Sequence, residues 1–164
     1  MSPPSNFDIR FSVEEDLKFL QQWFADPKAC DDFPFGIEEK EEALKNWIGF
    51  AKYKACLTGL IDQTPCTIGS LFLMPYKKVA HHCSFYLMVD PQQRRAGIGT
   101  SMVRNLQHLA KTRFRLENIH VELFDKGHLL PLLLKEGFKQ FVRQENFAKI
   151  DGLSRARILL EKNL

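Results

Sequence analysis

The sequence predicts a mixed α/β fold in one domain: a central, mainly antiparallel sheet of about seven strands carrying four helices. Three observations predict it. The chain has 164 residues, enough for one domain with a real core and too few for two ordinary ones. Three apolar runs in its middle are separated only by short turn-forming segments, which is the pattern of an antiparallel meander. After them, a strand-like run passes through a glycine-punctuated turn into a long amphipathic helix and then into another strand, a parallel unit with a helical crossover.

Phe7, Ile9 and Phe11 alternate with polar residues and predict a first strand, ending at Ser12, with Glu15 three places on as a capping pair. Val13, Leu17, Leu20, Trp23 and Phe24 form the apolar stripe of a first helix that Asp26-Pro27 stops. Ile37, Leu44, Trp47, Ile48 and Ala51 predict a second. Between the two lies a loop from Ala29 to Gly36 carrying Asp31, Asp32, Phe33 and Phe35. The meander strands run Tyr53 to Ile61, Cys66 to Met74 and His81 to Val89, with breaks at Asp62-Gln63-Thr64-Pro65 and Pro75-Tyr76-Lys77-Lys78. Ile98, Met102, Leu106, Leu109, Ala110 and Phe114 share one stripe of a third helix, and Ile119, Val121 and Leu123 belong to a strand from Asn118. Leu129 to Glu136 predicts a short helix ended by Gly137. Lys139 to Phe147 and Leu153 to Leu160 flank Asp151-Gly152 as a closing hairpin.

Charge is unevenly distributed although the formal net charge is only +3. Pro91 to Leu116 holds six Arg or Lys and no acid, whereas Glu14 to Glu42 holds ten acids against three lysines. A basic helix mouth suits a phosphate-rich ligand, and an acidic segment suits a cationic acceptor or simply forms a solvated face. Cys30, Cys56, Cys66 and Cys83 show neither a C-x-x-C pair nor zinc-type spacing, so they read as free thiols in a reducing, cytoplasmic setting, with no metal. The first residues lack an apolar signal core and no apolar run approaches the ~20 residues a bilayer needs, which predicts no membrane partner. Nucleic acid is not expected either, because no stacking or base-reading pattern accompanies the arginines.

The turn Val89-Asp90-Pro91-Gln92-Gln93-Arg94-Arg95-Ala96-Gly97-Ile98-Gly99-Thr100-Ser101 is the most informative stretch. Gly97 and Gly99 lack Cβ atoms, so backbone amides can approach a ligand at a helix start that already offers unpaired N–H groups and a positive dipole end. Two familiar phosphate loops fail: no lysine follows Gly99, and Met102 stands where a dinucleotide fingerprint requires its third glycine. What remains, Arg94-x-x-Gly97-x-Gly99 after Val-Asp-Pro, resembles motif A of the GNAT N-acetyltransferases. The element order is similar to that family's over nearly the whole chain, so the resemblance implies one such domain over residues 1–164. Leu134-Lys135-Glu136-Gly137-Phe138 resembles the family's usual helix stop, and Asp16 to Pro27 resembles the first helix of the ribosomal-protein acetyltransferase branch.

The resemblance implies acetyl-CoA as cosubstrate. The strands at His81 to Val89 and Asn118 to Leu123 would splay to admit its pantetheine arm, with backbone groups of Met88 and Val89 pairing with that arm. Arg95, Ala96, Gly97, Ile98 and Gly99, with Thr100 and Ser101, would hold the pyrophosphate, and Arg94 or Arg95 would meet the 3′-phosphate or adenine end. The implied reaction is direct attack of an amine on the thioester. His82 stands where family members often carry a glutamate base, with His81 its rival on the opposite strand face. The tyrosine that usually protonates the leaving thiolate is replaced by Leu133, which leaves water, Tyr86 or His128 for that role. Asp31, Asp32 and Phe33 are the acceptor-side candidates. The function expected is N-acetyl transfer to an amine-bearing small molecule, a protein N-terminus or a lysine, by a monomer or homodimer. The competing expectation is a catalytically weak acyl-CoA sensor that kept the cradle.

Overall fold

A computed structural model describes residues 1–164. Strands β1 (Phe7–Phe11), β2 (Cys56–Ile61), β3 (Thr64–Leu73), β4 (His82–Val89), β5 (Asn118–Phe124), β6 (Lys139–Ile150) and β7 (Leu153–Asn163) form one sheet in the order β1-β2-β3-β4-β5-β7-β6. Four helices accompany it: α1 (Leu17–Trp23), α2 (Lys40–Gly49), α3 (Ile98–Thr112) and α4 (Leu130–Lys135). Every neighbouring pair is antiparallel except β4 and β5. That parallel pair is short. It holds only from His82↔Asn118 to Ser84↔His120, and beyond Ser84 the two strands part.

Strand alternation divides the core between the two faces. Phe85 and Leu87 of β4 join Ile119, Val121 and Leu123 of β5 against Met102 and Leu106 of α3. Met88 turns the other way, toward Leu20, Phe24, Leu44 and Trp47 of the α1–α2 layer, and half-buried Tyr86 packs against the same cluster. Leu133 is fully buried on the α3 side, which is why that position is apolar here.

Several boundaries differ from the sequence expectation for local reasons. The second helix starts at Lys40 rather than near Ile37, because the Glu39 carboxylate first accepts the Gly36 N–H at 3.0 Å in a turn. β2 starts at Cys56 because Phe50–Tyr53 wind into a 3₁₀ turn closed by left-handed Lys54 (φ 56°). Asp62 and Gln63 both take positive φ, giving a two-residue hairpin that admits Thr64 and Pro65 to β3. β6 and β7 run to Ile150 and Asn163, further than their apolar alternation predicts, because Ile150 pairs with Leu153 of β7 and Asn163 pairs with Asn118 of β5.

One buried carboxylate organises the start of the chain. Asp16 is 2% exposed and accepts hydrogen bonds from Arg10 (2.7 and 2.9 Å), the Val13 N–H (3.0 Å) and Thr58 Oγ1 (2.8 Å), tying β1 and β2 to the entry of α1. Burial alone would raise its pKa, but the hydrogen bonds from Arg10, Val13 and Thr58 and the Arg10 charge together hold it below the usual carboxylate range. A carboxyl lowered in the folded state stabilises above the unfolded value of about 4, and that contribution is lost as pH falls through the folded value. Asp16→Ala should therefore cost roughly 2–3 kcal/mol at neutral pH by chemical denaturation, with the deficit shrinking in acid below pH ~4.

Candidate active site

The parting of β4 and β5 opens a wedge that ends at the start of α3. Asp90 N–H donates to Cys66 O at 2.8 Å. By the alternation of an antiparallel ladder, the polar backbone of Met88 therefore faces β3, and its carbonyl also accepts Thr67 Oγ1 at 2.9 Å. Leu87 and Val89 carry the backbone groups that face the wedge. This corrects the expectation for Met88, whose backbone is committed to β3 although the residue borders the cavity; the groups on offer belong to Val89 and, unanticipated, Leu87.

Backbone shape accounts for the cradle. Arg95 (φ 64°) and Gly97 (φ 77°) are left-handed, and Gly97 is the N-cap of α3. The first α3 hydrogen bond runs from Ser101 N–H to Gly97 O at 3.2 Å. Every backbone N–H from Arg94 through Thr100 lacks an acceptor within the protein. The expected run is thus present but ends one residue early, since the Ser101 amide is spent inside the helix. Ile98 is 1% exposed, so only its backbone is on offer. Met1 and Ser2 cross the mouth of this turn: a Cβ on Gly97 would sit 2.8 Å from Ser2 O and 2.9 Å from Met1 O.

A cavity of about 550 Å³ joins wedge and cradle. Leu87, Val89, Leu123 and Leu132 give it an apolar slot, Arg94, Arg95 and Lys135 stand at its basic end, and Asp32 and Phe33 reach it from the α1–α2 loop. A Cβ on Gly99 would point into the slot, 3.0 Å from Leu132 Cδ1 and 3.9 Å from Val89 Cγ2. A long apolar arm ending in phosphates matches this shape and these donors. Asp31 is not on the cavity wall, although Asp32 and Phe33 are.

The two expected catalytic residues part company. Tyr86 stands where the strands have just separated, on the α1–α2 face, with its ring 5.4 Å from Phe33, 5.4 Å from Trp47 and 4.9 Å from Phe72. Burial, and then the charge of Glu122, pushes its phenol up to about 12. His82 lies four residues earlier, roughly 13 Å away along the strand, where β4 is still paired with β5. Its ring neighbours are His81 at 4.1 Å and His120 at 6.4 Å, and it does not border the cavity. His82 therefore sits at the paired end of the β4–β5 ladder, before the point where the strands open. His82→Ala is expected to leave the pH–rate profile unchanged and turnover within about twofold.

Two side chains at the site were not singled out as its residues. Glu122 alternates on β5 with buried Val121 and Leu123, so it faces the Tyr86 side, where Arg157 Nη2 donates to its Oε2 at 3.1 Å. The signal was legible in the strand alternation, but the partner strand was needed to show which residue it faces. His128, considered only as a proton donor, borders the cavity and sits between Asp32 and Arg94.

A family model described as the acetyltransferase (GNAT) family matches residues 11–128. No curated protein sequence matches the chain. Among solved structures, yncA from Salmonella typhimurium, solved with its cofactor acetyl-CoA, superposes with a TM-score of 0.81 at 12% identity, covering 98% of this chain and 95% of that one. The ribosomal-protein-alanine N-acetyltransferase from Brucella melitensis gives 0.77 at 17% identity, covering 96% and 99%. RimL, a ribosomal L7/L12 alpha-N-protein acetyltransferase in complex with coenzyme A, gives 0.76 at 10% identity, covering 98% and 96%. Likeness at these identities is likeness of fold.

Proposed function

This chain belongs to the GNAT family of acetyltransferases, and from that premise we propose that it moves an acetyl group from acetyl-CoA to a primary amine, of a small molecule or of a protein, by direct attack. The observation that carries this reading is the run of unpaired N–H groups from Arg94 to Thr100 at the end of an apolar wedge. Acetyl-CoA, when bound, supplies a thioester carbonyl open to a neutral amine and a thiolate able to leave.

The residues divide the remaining work. The amides of Arg94 to Thr100, which have no acceptor within the protein, bind the pyrophosphate. Arg94, Arg95 and Lys135 neutralise the remaining phosphate charge. Leu87 and Val89 offer backbone groups to the pantetheine arm as an added strand would, while Leu123 and Leu132 exclude water from it. On the opposite face Glu122 takes the proton of the incoming ammonium, directly or through a water, and Arg157 holds the carboxylate in place. Tyr86 stays protonated until the thioester bond breaks, then donates its proton to the departing sulfur and recovers one from the nitrogen of the new amide. Asp32 and Phe33 border the acceptor.

Calorimetry with coenzyme A and with its 3′-dephospho form tests the first half of this reading. Micromolar binding is expected, weaker for the dephospho form and weaker for both as salt rises. Thiol release from acetyl-CoA with a panel of primary amines tests the second half. Binding of coenzyme A without thiol release for any amine would favour the sensor reading, and no binding at all would remove the proposal.

A further inference from the structure

We propose that Asp32, His128 and Arg94 form a hydrogen-bonded bridge through which coenzyme A binding tightens the acceptor loop. The inference rests on the reading that the cradle holds coenzyme A. His128 Nδ1 lies 2.6 Å from Asp32 Oδ2, and His128 Nε2 lies 3.2 Å from Arg94 Nη1. A carboxylate only accepts and a guanidinium only donates, so a neutral ring protonated at Nδ1 satisfies both partners. The three residues come from three sides of one cavity: the loop after α1, the turn between β5 and α4, and the cradle.

The loop is seated on that turn. The Asp32 carboxylate lies in ordinary packing range of Gly127, where a Cβ would be 3.6 Å from Oδ1, and the His128 N–H also approaches Oδ2, at 3.5 Å. Phe33, next in the chain, packs on Tyr86. A displacement of Asp32 is therefore felt at the reactive end. In the other direction, Arg94 spends one of its five N–H donors on His128 and keeps others for a phosphate. A phosphate that fixes the guanidinium also fixes the donor to Nε2. Polarisation along the chain then strengthens the Nδ1–H bond to Asp32. Arg94, His128 and Asp32 act here as positioning residues: none is required to touch the reacting atoms.

Hydrogen exchange read by mass spectrometry on the full chain, with and without coenzyme A, tests this without knowledge of the acceptor. In the wild type, coenzyme A should slow exchange in the segment Pro27 to Phe35 by roughly fivefold or more, besides protecting the cradle amides. His128→Gln, whose amide both donates and accepts, should keep the loop effect. His128→Leu and, independently, Asp32→Ala should reduce it to less than about twofold while leaving cradle protection in place. His128 is largely exposed, so neither substitution at it threatens the fold. Equal loop protection in His128→Leu and wild type overturns the inference. So does loosening of the loop on binding, which would mean that the phosphate draws Arg94 away from His128. Missing protection at the cradle itself, in the wild type, overturns the coenzyme A reading together with the bridge.

Discussion

Gly99→Val should weaken coenzyme A binding by roughly a hundredfold or more, equivalent to about 2.7 kcal/mol, in a protein that still folds. Gly99 occupies the first turn of α3, and the Cβ direction at that residue leads into the slot between Val89 and Leu132. Alanine would meet only the flexible tip of Leu132 at 3.0 Å and should cost a few-fold in affinity. Valine adds two branches to a cleft bounded on its other side by a β-strand that cannot retreat. Stability should change little, since the added methyls enter the ligand's space and valine is tolerated in a first helical turn. Calorimetry beside thermal unfolding separates the two effects. A folded Gly99→Val protein with wild-type affinity would mean that the pantetheine arm does not run through this wedge.

Glu122→Gln should lower kcat/KM by about 10²–10³-fold with coenzyme A affinity unchanged, because the isosteric amide keeps a contact to Arg157 but cannot take a proton. Tyr86→Phe should lower kcat by about 10–100-fold, and its pH dependence distinguishes an acid from a base. The phenol is pushed up to about 12, so it stays protonated through the working range. As a donor it predicts the same fractional loss at every pH from about 6 to 10; as a base its contribution would grow toward alkaline pH. Neither residue borders the cradle cavity, which is why binding and turnover should separate in both variants. A Glu122→Gln enzyme with wild-type turnover would return the proton to water and reduce Glu122 to the partner of Arg157.

What the sequence by itself determined is whatever depends on short range. The glycine spacing and the basic, acid-free stretch marked the cradle, because a helix start with free amides is made by consecutive residues. Strand alternation and apolar stripes placed all seven strands and four helices in order, with errors confined to ends where a 3₁₀ turn or a positive φ intervened. Cysteine spacing anticipated four unpaired thiols, and all four are buried and unpaired, with Cys83 pushed up to about 12 by burial alone.

Tertiary structure decided which side chains meet. His82, the expected base, and Tyr86, a candidate acid, share a strand face, but the length of the β4–β5 ladder separates them: the strands are still paired at one and have parted at the other. Met88 and Leu87 exchanged backbone roles because a single ladder bond, Asp90 to Cys66, sets the phase of the whole strand. Asp32 and His128 lie 96 residues apart in sequence and 2.6 Å apart in space. No local pattern encodes such a pair, since it depends on where two loops, each shaped by its own turn residues, are delivered by the sheet between them.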